Sequence, residues 1–97
     1  MLVAVLIFLS PPAGAAGNVT IIQGGRSRQG WVNDRGKIVI RNSRGKTVFY
    51  GKMTRMGGVE LTDQVTNEIF VGRVNPLGNG LLMSPRTGVT LRIEVER

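Results

Sequence analysis

The side chains best suited to binding chemistry are basic, and most of them lie close together in the sequence. Between positions 26 and 55 the chain carries nine of its 13 Lys and Arg residues and a single acidic residue, Asp34. The segment therefore has a net charge of +8, and a field of that strength attracts polyanions or anionic membrane surfaces. The nine residues are Arg26, Arg28, Arg35, Lys37, Arg41, Arg44, Lys46, Lys52 and Arg55.

The same segment contains aromatic residues, Trp31, Phe49 and Tyr50. Aromatic rings beside Lys and Arg on a β-surface bind single-stranded nucleic acid by stacking, worth about 1–3 kcal/mol per base, and by neutralising phosphates. Exported proteins can use similar faces for acidic glycans. We therefore add Trp31 and Phe49 to the predicted polyanion-binding residues. The alternative is that both rings pack beneath another part of the fold, as large aromatic side chains usually do.

Catalytic chemistry has few candidate residues in this chain. Cysteine and histidine are both absent, which excludes Cys-His and Ser-His-Asp catalysis and the commonest zinc ligands. Residues 45–47 read Gly-Lys-Thr, like the end of a P-loop, but Ile40 stands where that motif requires glycine. Glu60 and Asp63 could approach each other across a turn, although ordinary exposed charge at strand ends is the simpler interpretation. We expect a non-enzymatic protein without cofactor or metal.

The elements that position the basic residues read as β-strands. From residue 17 onward, short runs rich in Val, Ile and Thr are separated by Gly, Asn and Pro at intervals of about ten residues. Seven to eight short antiparallel strands in one domain, residues 16–97, predict an all-β fold, a small β-sandwich or barrel. The predicted strands are 19–23, 29–33, 37–41, 46–52, 58–62, 68–74, 80–83 and 89–96.

A local repeat predicts a three-stranded meander at residues 29–52. Residues 33–37 read Asn-Asp-Arg-Gly-Lys and residues 42–46 read Asn-Ser-Arg-Gly-Lys. Asn at the start of a type I turn, followed by Gly in the left-handed conformation, is typical of a three-residue hairpin loop with a G1 bulge. The two loops would lie at opposite ends of the central strand, about 17 Å apart for five residues. Arg35 and Arg44 would therefore bracket the sheet and could not form one tight pocket, which fits an extended polymer better than a small anion.

The loop type also predicts which side chains share a face. We pair Trp31 with Val39 and Val39 with Phe49, which places these three in a row on one face beside Lys37 and Arg41. A one-residue slip would exchange the two faces, so burial of the side chains tests this register. The opposite, core-forming face would collect Val32, Ile38, Ile40, Val48 and Tyr50.

The N-terminus resembles a segment for export. Residues 1–23 contain no charged side chain, and the apolar run 2–9 is followed by Pro11, Pro12 and the small residues Ala13-Gly14-Ala15. We interpret residues 1–15 as a secretory signal peptide, which places the mature protein in the periplasm or outside the cell. The alternatives are a membrane anchor, a strand of the mature fold, or an arm inserted into a neighbouring subunit.

These observations favour an exported β-domain whose basic surface contacts a polyanionic partner, such as an acidic envelope glycan, lipid head groups or an acidic protein. The alternative is a structural subunit of an envelope assembly or filament, joined by β-strand addition through the 89–96 strand or the apolar N-terminal run. A nucleic-acid-binding barrel inside the cell is a third hypothesis, which applies only if the N-terminus is not an export signal.

Overall fold

A computed structural model describes residues 15–96, which form eight antiparallel strands in one closed barrel. Each strand pairs with the next along the chain, and β1 pairs with β8 to complete the ring. The predicted all-β fold is therefore confirmed, as a barrel and not as a sandwich. The strands are β1 (Ala15–Gln23), β2 (Arg26–Asn33), β3 (Lys37–Arg41), β4 (Thr47–Met53), β5 (Gly58–Asp63), β6 (Ile69–Val74), β7 (Asn79–Met83) and β8 (Thr90–Glu96).

The predicted signal peptide lies outside the described residues, apart from Ala15, where β1 begins. Within residues 15–96 there is no helix long and apolar enough to cross a membrane. The core fills the barrel interior with residues that alternate along the strands, as the sequence of β8 illustrates. Leu91 and Ile93 are buried there, whereas Thr90 and Arg92 are exposed, because successive side chains of a strand point to opposite faces.

The two predicted hairpin loops are confirmed. The Asn33 side-chain oxygen accepts hydrogen bonds from the backbone N–H groups of Arg35 and Lys37, at 2.9 and 2.8 Å. Gly36 has a φ of 85°, which glycine adopts without steric cost, and its N–H donates to the Asn33 carbonyl. Asn42 makes the same set of hydrogen bonds in the loop between β3 and β4. The sequence repeat thus corresponds to two identical turns at opposite ends of β3.

The barrel is also built from a longer repeat of 21 residues. Loop glycines recur every 21 residues at Gly36, Gly57 and Gly78, all with positive φ. The carbonyl oxygen of each glycine accepts a hydrogen bond from the backbone N–H of the residue 17 positions further along. These donors are Met53, Val74 and Val95, respectively. These bonds of 2.7 to 2.8 Å join one hairpin to the next. The chain therefore closes the ring by repeating one strand–loop–strand unit.

A second set of glycines, Gly30, Gly51 and Gly72, follows the same 21-residue period inside the barrel wall. A Cβ atom at Gly30 would lie 1.8 Å from the Val39 carbonyl oxygen, and the other two meet carbonyl oxygens at 1.9 and 2.1 Å. The atoms that each added Cβ would meet belong to the backbone of the neighbouring strand, so the clash can be relieved only if the two strands separate. These glycines therefore allow neighbouring strands to approach more closely than any side chain would permit.

We predict that Gly30→Ala lowers the unfolding free energy by at least about 2 kcal/mol, the scale of overpacking a closed interior. Gly58→Ala is the control, because its Cβ would meet only the side chain of Thr54, with the hydroxyl at 3.2 Å and the methyl group at 3.9 Å. That variant should cost less than about 1 kcal/mol. Urea unfolding of both variants measures the difference. Equal losses of unfolding free energy would show that the fold does not require glycine at position 30.

The predicted register is confirmed between β2 and β3 but is wrong in part between β3 and β4. Trp31 pairs with Val39 as predicted, and Arg41 pairs with Thr47. Beyond that pair the register shifts, so that Ile40 faces Phe49 and Val39 faces Tyr50. Phe49 is therefore buried and Tyr50 lies on the outside, the reverse of our prediction.

The register shift places the larger apolar side chain in the core. Phe49 contacts Phe70 edge to face, with ring centroids 6.1 Å apart and an interplanar angle of 65°. Val48 is the extra residue of β4 at this shift, opposite no residue of β3, and it is only partly buried. Its carbonyl oxygen accepts a hydrogen bond of 2.8 Å from the Gln64 N–H. The shift buries the wholly apolar ring of Phe49 and leaves Tyr50, whose hydroxyl would need a hydrogen-bond partner in the core, on the outer surface.

Candidate functional site

The sequence predicted that Trp31, Val39 and Phe49 lie in a row on the outer surface of β2, β3 and β4. The structure contains this aromatic row, with Tyr50 in the place of Phe49. Trp31 pairs with Val39 and Val39 with Tyr50, so these three side chains lie side by side across adjacent strands. Trp31 is half-buried and Tyr50 is 43% exposed, so both rings reach the surface. Phe49, which we had included among the binding residues, is 1% exposed and cannot contact a ligand on this face.

Arg41 is attached directly to this aromatic row. Its guanidinium carbon lies 4.7 Å from the centroid of the Trp31 ring, a cation–π contact. The contact holds a planar group of hydrogen-bond donors next to a partly exposed aromatic ring. Guanidinium groups in such positions bind phosphate, sulfate or carboxylate through two parallel hydrogen bonds.

Two lysines flank the row on its other side. Lys37 of β3 pairs directly with Lys52 of β4, and both are exposed. Like charges placed opposite each other destabilise a sheet, and an anion bound between them would relieve that repulsion. Glu60 pairs with Lys52 on its other side and forms the border of the basic area. We call the surface formed by Trp31, Lys37, Val39, Arg41, Tyr50 and Lys52 the Trp31 face.

The other predicted basic residues lie around the Trp31 face and not within it. Arg44 and Lys46 are exposed in the loop at one end of β3, and Arg35 is exposed in the loop at the other end. Arg55 is exposed in the loop between β4 and β5, at the same end as Arg35. Thus the loop cations bracket the face, as predicted from the positions of the two hairpin loops.

Arg26 and Arg28 occupy a different environment. Arg28 pairs with Ile21, which is 2% exposed, so Arg28 is directed toward the barrel interior. Arg26 pairs with Gln23 at the end of the same two strands. The structure therefore separates these two arginines from the outward-facing cations of β3 and β4.

Glu68 joins two loops at one end of the barrel. The Thr87 hydroxyl donates a hydrogen bond to the Glu68 carboxylate, between the β7–β8 and β5–β6 loops. This bond, with one from Ser84 and the charge of Arg86, lowers the pKa of Glu68 from its ordinary value. A lowered pKa means that the stabilisation is present while Glu68 is ionised and is lost as the pH falls through that pKa. Glu68 therefore links the β5–β6 and β7–β8 loops.

Comparison with known proteins identifies no relative, since no family model, curated protein or solved structure matches the chain. We therefore infer the function of this chain from its own geometry. The residue that sequence reasoning missed is Tyr50, and the 21-residue period would have revealed it. Phe49 aligns in the repeat with the buried Phe70, and Tyr50 aligns with the exposed Val71.

Proposed function

We propose that this chain is an exported, non-enzymatic β-barrel domain that contacts a polyanionic partner through its Trp31 face. The partner would be an acidic envelope glycan, the head groups of an anionic membrane, or an acidic protein. The observation that carries the proposal is the aromatic row of Trp31 and Tyr50 between Arg41 on one side and Lys37 and Lys52 on the other. The six residues that define the face include three cations and no carboxylate.

The dimensions of the basic surface favour an extended ligand. The cations of β3 follow a strand of five residues, about 17 Å long, and the loop cations continue beyond both of its ends. A small anion could contact only one part of this arrangement at a time. A polymer with regularly spaced charges could contact Arg41 and the Lys37–Lys52 pair together, while its apolar or planar groups pack on the rings.

The alternative, a structural subunit joined by strand addition, has less support. Strand addition requires an open strand edge. β8, which we considered for this role, is paired with both β7 and β1, so its edges are occupied within the chain. The apolar N-terminal run lies outside the described residues.

Salt dependence tests the proposal. We expect the protein to bind heparin, with the logarithm of the binding constant falling linearly against the logarithm of salt concentration. Contacts by the three cations of the Trp31 face predict a slope of about −2 to −3. Isothermal titration calorimetry across a salt series measures it, with uncharged dextran as the control polymer. Absence of binding, or binding that does not change with salt, would contradict the proposal.

A further inference from the structure

The barrel end formed by the β2–β3, β4–β5 and β6–β7 loops carries two strongly exposed apolar side chains. Met56 is 77% exposed and Leu77 is 83% exposed, and each directly precedes the positive-φ glycine of its loop. Both border one cleft of about 650 Å³, and a hydrogen bond from the Val74 N–H to the Gly57 carbonyl joins the β4–β5 loop to the end of β6. This end therefore presents accessible apolar surface on two adjacent loops.

Basic side chains lie beside this apolar surface. Arg55 directly precedes Met56, borders the same cleft and is exposed. Arg35 occupies the equivalent loop position in the first repeat unit and is also exposed. Asp34 and Glu96 are exposed carboxylates at the same end, so the attraction of this end to anions is moderate. The hydrocarbon stems of the two arginines can contact apolar material while their guanidinium groups remain at its polar boundary.

The chain also enters the barrel at this end. Ala15, the first residue of β1, pairs with Asn33, the last residue of β2. Five residues separate Ala15 from the apolar run 2–9. A fully extended connection of that length spans about 20 Å at most. While the apolar run is inserted in a membrane, as a signal peptide is during export, this end of the barrel lies within that distance of the bilayer.

We propose that this end of the barrel docks on an anionic membrane. Met56 and Leu77 enter the boundary between head groups and acyl chains, and Arg35 and Arg55 contact lipid phosphates. A lipid surface accommodates protruding side chains without a complementary shape, whereas a protein partner would have to supply matching pockets. The docking surface is separate from the Trp31 face and does not depend on binding there.

The opposite end of the barrel supplies a matched control. Val65 is 82% exposed in the β5–β6 loop, and Arg44 and Lys46 are exposed in the β3–β4 loop. A general attraction of exposed apolar and basic groups to lipid would therefore involve both ends. The proposal instead restricts contact to the end where two apolar loop residues lie together and the chain enters.

Site-specific fluorescence tests this orientation. The chain contains no cysteine, so a single introduced cysteine can carry an environment-sensitive nitrobenzoxadiazole label. Met56→Cys and Leu77→Cys report the proposed contact, Val65→Cys reports the opposite end, and Tyr50→Cys reports the Trp31 face. Each full-length variant is titrated with vesicles made of equal parts of phosphatidylcholine and phosphatidylglycerol. We expect a saturable blue shift at positions 56 and 77 and none at positions 65 and 50.

Three other results would overturn the proposal. The first is absence of a shift at positions 56 and 77. The second is a shift at position 65 or 50 as large as those at 56 and 77, which would mean that the lipid binds the opposite end or the Trp31 face. The third is a shift at positions 56 and 77 that grows with protein concentration in the absence of vesicles, which would identify a second copy of the chain as the occupant.

Vesicle sedimentation measures the contribution of the two apolar side chains. The double variant Met56→Ser, Leu77→Ser should lower the partition coefficient at least about tenfold, whereas Val65→Ser should change it less than about threefold. Vesicles of phosphatidylcholine alone should bind the unmodified protein at least about fivefold more weakly, because each cation near an anionic surface contributes about that factor. Equal partition of the double variant and the unmodified protein, or equal binding to the two kinds of vesicle, would overturn the proposal.

Discussion

Phe49→Ala is expected to lower the unfolding free energy by about 3–5 kcal/mol, the usual cost of removing a buried phenylalanine ring. Phe49 is 1% exposed and packs edge to face on Phe70, so its loss leaves a cavity between two neighbouring repeat units. Small domains have total stabilities of about 5–15 kcal/mol, so the variant should retain only a small margin. Urea unfolding followed by circular dichroism measures the change, provided that the slope of the transition is unaltered.

Tyr50→Ala is the matched control, because it removes the neighbouring ring from the outer surface. Tyr50 is 43% exposed, and its replacement should cost less than about 1 kcal/mol. The pair of variants tests the register shift between β3 and β4 directly. If Tyr50→Ala proves to be the more destabilising of the two, the register without the shift is correct and Phe49 lies on the outer face.

The largest effect on binding is expected from replacing both Lys37 and Lys52 with glutamine. Each cation near an anionic surface contributes about 1 kcal/mol, so the double variant should bind heparin about thirtyfold more weakly. The two lysines pair directly with each other, and a bound anion between them would interact with both. Calorimetry at about 0.15 M salt, where the Debye length is about 8 Å, measures this difference.

The control for net charge is the double variant Arg73→Gln, Arg92→Gln. Both arginines are exposed on the outer surface of β6 and β8, strands that neither belong to the Trp31 face nor adjoin it in the ring. This variant removes the same charge and should change heparin affinity by less than about threefold, because distant surface charges are screened by salt. Equal losses in the two double variants would mean that binding responds to net charge and not to the Trp31 face.

The sequence was sufficient to predict the features that depend on local chemistry. Asn33 and Asn42, each followed three residues later by glycine, specify the two hairpin loops around β3 because side-chain and backbone bonds close within five residues. The loop at Asn33 then determines the pairing of Trp31 with Val39. The exposure of the basic residues in the loops follows from the same local geometry.

The features that depend on distant contacts could not be predicted in this way. The register shift that buries Phe49 is stabilised by Phe70, two strands further along, and no loop residue indicates it. Closure through the β1–β8 pairing depends on strands at the two ends of the domain. The 21-residue period does carry part of this information in the sequence. Aligning the repeats places Phe49 with Phe70 and shows that Arg28 stands at a core position.

The most direct test of the central claim uses Trp31, the only tryptophan in the chain, whose indole N–H gives a single NMR signal. We predict that a heparin hexasaccharide shifts this signal saturably at low salt, together with the signals of Arg41 and Tyr50. The shifts should disappear at high salt as the electrostatic contribution is lost. If the indole signal stays in place while signals around Arg73 and Arg92 shift, the polymer binds elsewhere and the proposed role of the Trp31 face is wrong.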